Sequence, residues 1–124
     1  MDDEEKTLSA ALEGASAKAE RERRELIDRL KAEHGDVYEI EAGEARIMVK
    51  MPKPVHLERF TATVTQDESQ TWRAQRRLIL DCLVHPDKAG YLEIEGETPG
   101  IVASFAKAIA DLCGMSRKAT AEKL

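Results

Sequence analysis

Apolar residues change their spacing three times along this chain, and each change marks a new element. Over residues 4–34, Leu8, Leu12, Ala15, Ala19, Leu26 and Leu30 recur every three or four positions, the spacing of one face of an α-helix. The residues between them are mostly Glu, Arg, Lys and Ala, all good helix formers. Gly35 supplies a stop. The stripe is narrow and is interrupted at Glu22 and Arg23. A stripe of this width suits a helix that lies on a partner or on a second copy, or a loosely docked arm.

From Val37 the period drops to two. In "VYEIEAGEARIMVK", Tyr38, Ile40 and Ala42 point one way, and after a turn at Gly43 so do Ala45, Ile47 and Val49. This predicts a β-hairpin with one apolar face. A lone hairpin is marginal in water, so helices must cover that face. Pro52 and Pro54 then mark a linker, with Pro54 placed to open a short helix whose inner face is Leu57, Phe60 and Val64. Asp67 and Gln70 have capping-box spacing. The next predicted helix, residues 70–84, puts Trp72, Ile79, Leu80 and Leu83 on one face and ends before Pro86. A loop with Gly90 and Gly96 follows, with a short extended piece at "YLEIE". The last helix is predicted to start with Thr98 as N-cap and Pro99 in its first turn, burying Ile101, Val102, Phe105, Ile109, Leu112 and Cys113.

The predicted fold is therefore α+β, mostly α: a long N-terminal helix, one β-hairpin and about three packed helices. Its parts are a charged amphipathic arm at 1–35, a small α+β domain at 36–116 and a flexible tail at 117–124. The expected core is Ile40, Ile47, Leu57, Phe60, Ile79, Leu80, Leu83, Phe105, Ile109 and Leu112.

Composition narrows the function. The 124 residues carry a net charge of −5 and only 4% aromatics. Residues 1–36 hold 11 acids against 7 bases, and residues 71–124 hold 7 acids against 8 bases. Neither part is a basic patch of the kind that follows a phosphate backbone, so nucleic acid is not an expected partner. No apolar run approaches the length of a membrane span, and the acidic "MDDEEK" start lacks the apolar segment of a signal peptide. Membrane association is not expected, and the expected location is cytoplasmic.

Catalytic signals are sparse. His34, His56 and His85 are far apart, "ETPGIV" is no phosphate loop, and Cys82 and Cys113 lack zinc spacing. Cys82 and His85, three residues apart, would be a nucleophile–base pair only if a nearby cation activated the thiol, and the local sequence offers none. No catalytic residue, cofactor or metal is expected.

One motif demands a decision. "CLVHPDKAGY" contains His85-Pro86-Asp87, the tripeptide of the J-domains that stimulate Hsp70. In that family, basic residues commonly sit two and six positions before the His; here those positions are Leu83 and Ile79. J-domains begin with an apolar helix, whereas a hairpin is predicted upstream here. Their next helix starts within about ten residues, whereas a loop to Thr98 is predicted here. The tripeptide is therefore expected to be a helix stop and turn, with Asp87 capping through its side chain.

The order of elements carries a different resemblance. "VYEIEAGEARIMVKMPK", then "KPVHLERF", "RRLILDCLVHPD" and "TPGIVASFAKAIADLCG" together resemble the tail assembly chaperones of long-tailed bacteriophages, over about residues 36–116. The long helix at 4–34 is less typical of that family. The resemblance implies a protein that coats the helical tape-measure protein and keeps it soluble until tail-tube subunits polymerise around it. It implies no enzyme activity, a helical protein partner, a possible homo-oligomer and the host-cell cytoplasm. The residues expected to meet the partner are Leu8, Leu12, Leu26 and Leu30 on the arm and Trp72, Leu83 and Ile101 around a groove of the domain. The alternative is a small structural part of the virion, such as a baseplate or tail-completion protein, in which the 4–34 helix would join a permanent bundle.

Overall fold

The computed structural model describes residues 3–115 and 119–124, with the side chains of residues 3–10 and of Leu12 outside the described set. The chain divides into two compact units, Met1–Gly35 and Asp36–Leu124. The first is the helix α1, Asp3–His34. Its exposed surface carries a Lys18–Glu22 pair one turn apart, at 3.9 Å. Gly35 ends it at φ +80°, a left-handed conformation that favours glycine, and its N–H closes back on the Lys31 carbonyl.

The second unit is α+β and mostly helical. Strands β1 (Val37–Ala42) and β2 (Ala45–Lys50) form the expected hairpin. Ala42 pairs with Ala45 across a two-residue loop, and Gly43 takes positive φ at its first position, the II′ arrangement that suits the twist of the strands. Ile40 faces Ile47 and Tyr38 faces Val49 across the ladder, so the alternating residues do form one apolar face. Met48, on the opposite face, is also buried, which simple alternation misses.

A third strand extends the sheet. Helix α3 (Thr71–Cys82) stops earlier than the apolar run suggested, and Leu83–His85 form β3, antiparallel to β2 with a bulge between Met48 and Val49. The sheet order is β1-β2-β3. The free edge of β2 offers unpaired backbone donors and acceptors, and satisfying them outweighs two more helical residues. Leu83 is therefore a half-buried strand residue, not part of a helical face.

Helix α2 (Pro54–Gln66) starts with proline in its first turn as expected. Asp67 accepts from the Ser69 N–H and hydroxyl in the short 3-10 turn Glu68–Gln70 that leads into α3. Residues 88–97, expected as a loop, form a fourth helix of the chain, α4 (Lys88–Glu97). Asp87 caps it, accepting from the Gly90 N–H at 2.8 Å. Gly90 packs close under this cap: a Cβ there would lie 3.0 Å from the Pro86 Cβ. Helix α5 runs Ile101–Leu112, so Thr98 closes α4 and does not cap α5.

The core lies between the sheet face and helices α3, α4 and α5. Ile40, Ile47, Ile79, Phe105 and Ile109 are buried as expected, whereas Leu57, Phe60, Leu80, Leu83 and Leu112 pack on the rim half-buried. Leu78, Tyr91, Val49, Val102 and Cys82 complete the buried set. The buried face of α3 is Ala74, Leu78, Ile79 and Cys82, at the spacing of one helical stripe. Trp72 is not on it and stays 43% exposed. No helix among the described residues is long and apolar enough to cross a membrane.

Candidate partner-binding site

Of the seven residues expected to meet a partner, five have described side chains, and each unit is taken by itself. The side chains of Leu8 and Leu12 lie outside the described residues. Leu26 is half-buried and Leu30 is 5% exposed, so neither stands open. In the domain, Ile101 is 5% exposed and belongs to the core cluster. Trp72 and Leu83 sit at opposite ends of α3, about 16 Å apart along its axis at 1.5 Å per residue. The expected groove around Trp72, Leu83 and Ile101 is therefore not a groove.

One open surface of the domain lies beside α2. This helix packs on α3, yet none of its residues is fully buried. The cause is visible in its sequence, "PVHLERFTATVTQ". Leu57 and Phe60 pack half-buried against the core and Val64 is half-buried, while three threonines and a short alanine fill the flanks. Its first turn is fixed by His56, whose Nδ1 accepts the Lys53 N–H at 3.3 Å, and farther on the Thr63 hydroxyl donates to the Arg59 carbonyl at 2.9 Å.

Between α2 and α3 this leaves a cavity of about 200 Å³. Its floor is apolar: Phe60, Ala74 and Leu78. Its walls carry three guanidiniums, Arg59, Arg73 and Arg77, against one carboxylate, Asp81. Arg59 and Asp81 pair at 3.6 Å. Arg73 and Arg77, one helical turn apart and exposed, have no ion-pair partner among the described residues. On the other flank of α2, Leu57, Ala62 and Met115 line a shallow depression. Met51, Val55 and Met115 are 41%, 50% and 48% exposed.

A second polar feature sits inside the domain. Glu95, on α4, is buried, and its Oε1 lies 3.2 Å from Arg76 Nε. The contact falls short of a hydrogen bond: among the described residues, Arg76 Nε, Glu95 Oε2 and the Tyr91 hydroxyl have no hydrogen-bond partner. Burial first, and then the Glu95 charge, hold the Tyr91 phenol above its ordinary pKa. Arg76 also lies over the Trp72 ring, 5.5 Å from its centre.

The cysteines behave as core thiols. Cys82 is fully buried, and burial with the neighbouring Asp81 charge pushes its thiol up to about 12. Burial also raises Cys113, whose thiol points at the Ile109 carbonyl. His85 is exposed on β3, so it does not share a helical face with Cys82. A thiol held protonated at neutral pH is no nucleophile.

His85-Pro86-Asp87 forms the turn between β3 and α4, with Asp87 as N-cap. A helix does follow the tripeptide at once, so the expected long loop is not a reason to set the J-domain aside. The apolar residues at positions 79 and 83 and the hairpin remain reasons. His85 itself is a strand residue paired with Met48.

A small, mostly helical α+β domain with a three-stranded antiparallel sheet is thus the class of protein defined by residues 36–124. The chain belongs to the DUF6848 family, described as a domain of unknown function, whose model matches residues 30–122. It is similar to a solved structure described as that of the uncharacterised protein rbstp2171 from Bacillus stearothermophilus. The two are 26% identical with a TM-score of 0.65, over 77% of this chain and 98% of that one. No curated protein matches the chain.

Proposed function

We propose that this protein is a tail assembly chaperone of a long-tailed bacteriophage, which binds the helical tape-measure protein in the host cytoplasm and keeps it soluble during tail morphogenesis. The observation that supports this reading best is the open apolar surface around α2. A helix without one fully buried residue, beside an open cavity and exposed Met51, Val55 and Met115, is a surface on which an amphipathic helix can pack. The resemblance over residues 36–116 names such a helix as the client.

Co-expression tests the reading. The product of a neighbouring tape-measure gene should be insoluble alone. With this protein it should stay soluble and co-elute on size exclusion with light scattering. A client that stays equally insoluble with and without the protein refutes the reading. Presence of the protein in purified particles would favour the structural virion part instead. Removing residues 1–34 assigns the arm: a folded truncated chain that no longer binds or self-associates puts the contact on α1, and one that binds as before puts it on the domain.

A further inference from the structure

The cavity between α2 and α3 has a chemistry that says more about its occupant than an apolar surface alone. It is lined by apolar Phe60, Ala74 and Leu78, by the Arg59–Asp81 pair, and by exposed Arg73 and Arg77, which have no ion-pair partners among the described residues. Ala74 matters most for shape. It is the smallest apolar residue of the lining and leaves space in front of it that a larger side chain would fill. A space of about 200 Å³ takes one large aliphatic or aromatic side chain, not a cofactor, since small-molecule pockets start at about 300 Å³.

We propose that this groove takes a helix of the client whose inserted apolar side chain is flanked by carboxylates, with those carboxylates pairing with Arg73 and Arg77. The proposal rests on the chaperone reading for the identity of the client, but not for the chemistry of the groove. Charge complementarity carries it. Arg73 and Arg77 stand at i and i+4, so their guanidiniums repeat at the pitch of a helix, and acids one turn apart on an opposing helix match that repeat. Guanidinium accepts carboxylate in a planar two-point fashion that lysine does not offer. An uncharged client helix would leave both arginines unpaired at the rim, and a basic one would be repelled.

The test uses the full-length chain and labelled synthetic helices of about 20 residues, long enough to hold helical structure in water. One carries leucines along a single stripe with flanking glutamates, a second has lysines in place of the glutamates, and a third keeps the glutamates but has alanine for every leucine. Fluorescence anisotropy should show binding of the first, weakened by salt, and at least tenfold weaker binding of the other two. Arg73→Glu with Arg77→Glu, two exposed positions, should leave the unfolding temperature unchanged, weaken the glutamate helix at least tenfold and strengthen the lysine helix. Binding of the glutamate helix within twofold of wild type in that variant overturns the proposal. So does equal binding of the alanine or lysine helix by the wild-type chain, displacement of the peptide by inorganic phosphate at equal concentration, or tighter binding of a single-stranded oligonucleotide. The two readings fail separately. If the charge-reversed chain still solubilises the tape-measure product, the groove is wrong and the chaperone role stands. If the wild-type chain binds the glutamate helix but never the tape-measure product, the groove stands and the client is another protein.

Discussion

Arg76→Met should be among the costliest single changes on the surface of α3, because it strands a carboxylate. Glu95 has only 9% of its side chain exposed, and Arg76 Nε, 3.2 Å away, is its ion-pair partner. Removing one member of a fully buried pair costs about 3–5 kcal/mol. Arg76 itself is 37% exposed, so water already screens part of the attraction, and we expect about 2–3 kcal/mol. In a unit of this size that lowers the unfolding temperature by about 10–20 °C, at 4–8 °C per kcal/mol. The converse change is milder. Glu95→Leu frees an arginine that can turn to water and still lies over Trp72, so its cost is about 1 kcal/mol. The double variant Arg76→Met, Glu95→Leu should recover most of the loss, since an apolar pair of similar volume removes the orphaned Oε2. Urea titrations of the four proteins, compared at constant slope, supply the cycle. Equal costs for the two single changes, or a double variant no better than Arg76→Met, would refute the argument by placing Glu95 in contact with water.

Two more outcomes follow from the core. Phe105→Ala should cost about 3–5 kcal/mol, since the ring is fully buried, and a urea-derived loss below about 1 kcal/mol would put Phe105 outside the core. Alkali should destabilise the chain: Cys82, raised from 9.0 to about 12, favours folding below pH 9 and loses that contribution as pH rises, by at most about 1.4 kcal/mol per pH unit. The raised Tyr91 phenol adds to the loss above its own ordinary value of 10.0. Cys82→Ala should flatten the fall in urea midpoint between about pH 9 and 10, and an unchanged slope would reject the assignment.

What could be read from the sequence followed local rules. The hairpin was legible because its alternation and its glycine turn are both local, and α1, Pro54 and the Asp67 turn for the same reason. That Asp87 caps through its side chain was legible too, though not that it caps a helix. Three features were not. Strand β3 has three residues, and it exists because β2 has an edge to fill, a fact about a segment more than thirty positions away. Helix α4 contains Gly90 and Gly96 and has almost no apolar stripe, so its burial of Tyr91 and Glu95 one turn apart carried no pattern. Helical spacing puts Trp72 on one face with Ile79, Leu80 and Leu83, whereas in the structure Arg76 covers one face of the ring and leaves the rest in water. The groove was hidden for a related reason. Arg73 and Arg77 look like any solvated helix face until α2 is placed opposite them.

The arginines also explain how an apolar groove stays harmless in the free protein. An open floor of Phe60, Ala74 and Leu78 would invite self-association if nothing shielded it. Long side chains such as arginine lay their apolar stems over such a surface and keep their charged ends in water. Arg59 is tied down by Asp81, but Arg73 and Arg77 have no such tether among the described residues, so they can cover the floor and swing aside without breaking one of the described ion pairs. A client carrying carboxylates meets both needs at once, because the charges that draw the covering arginines outward arrive with the side chain that takes their place. Burying one leucine there contributes only about 1.5–3 kcal/mol before ordering costs. That is too little to hold a finished complex, and it suits the reversible client contact proposed above.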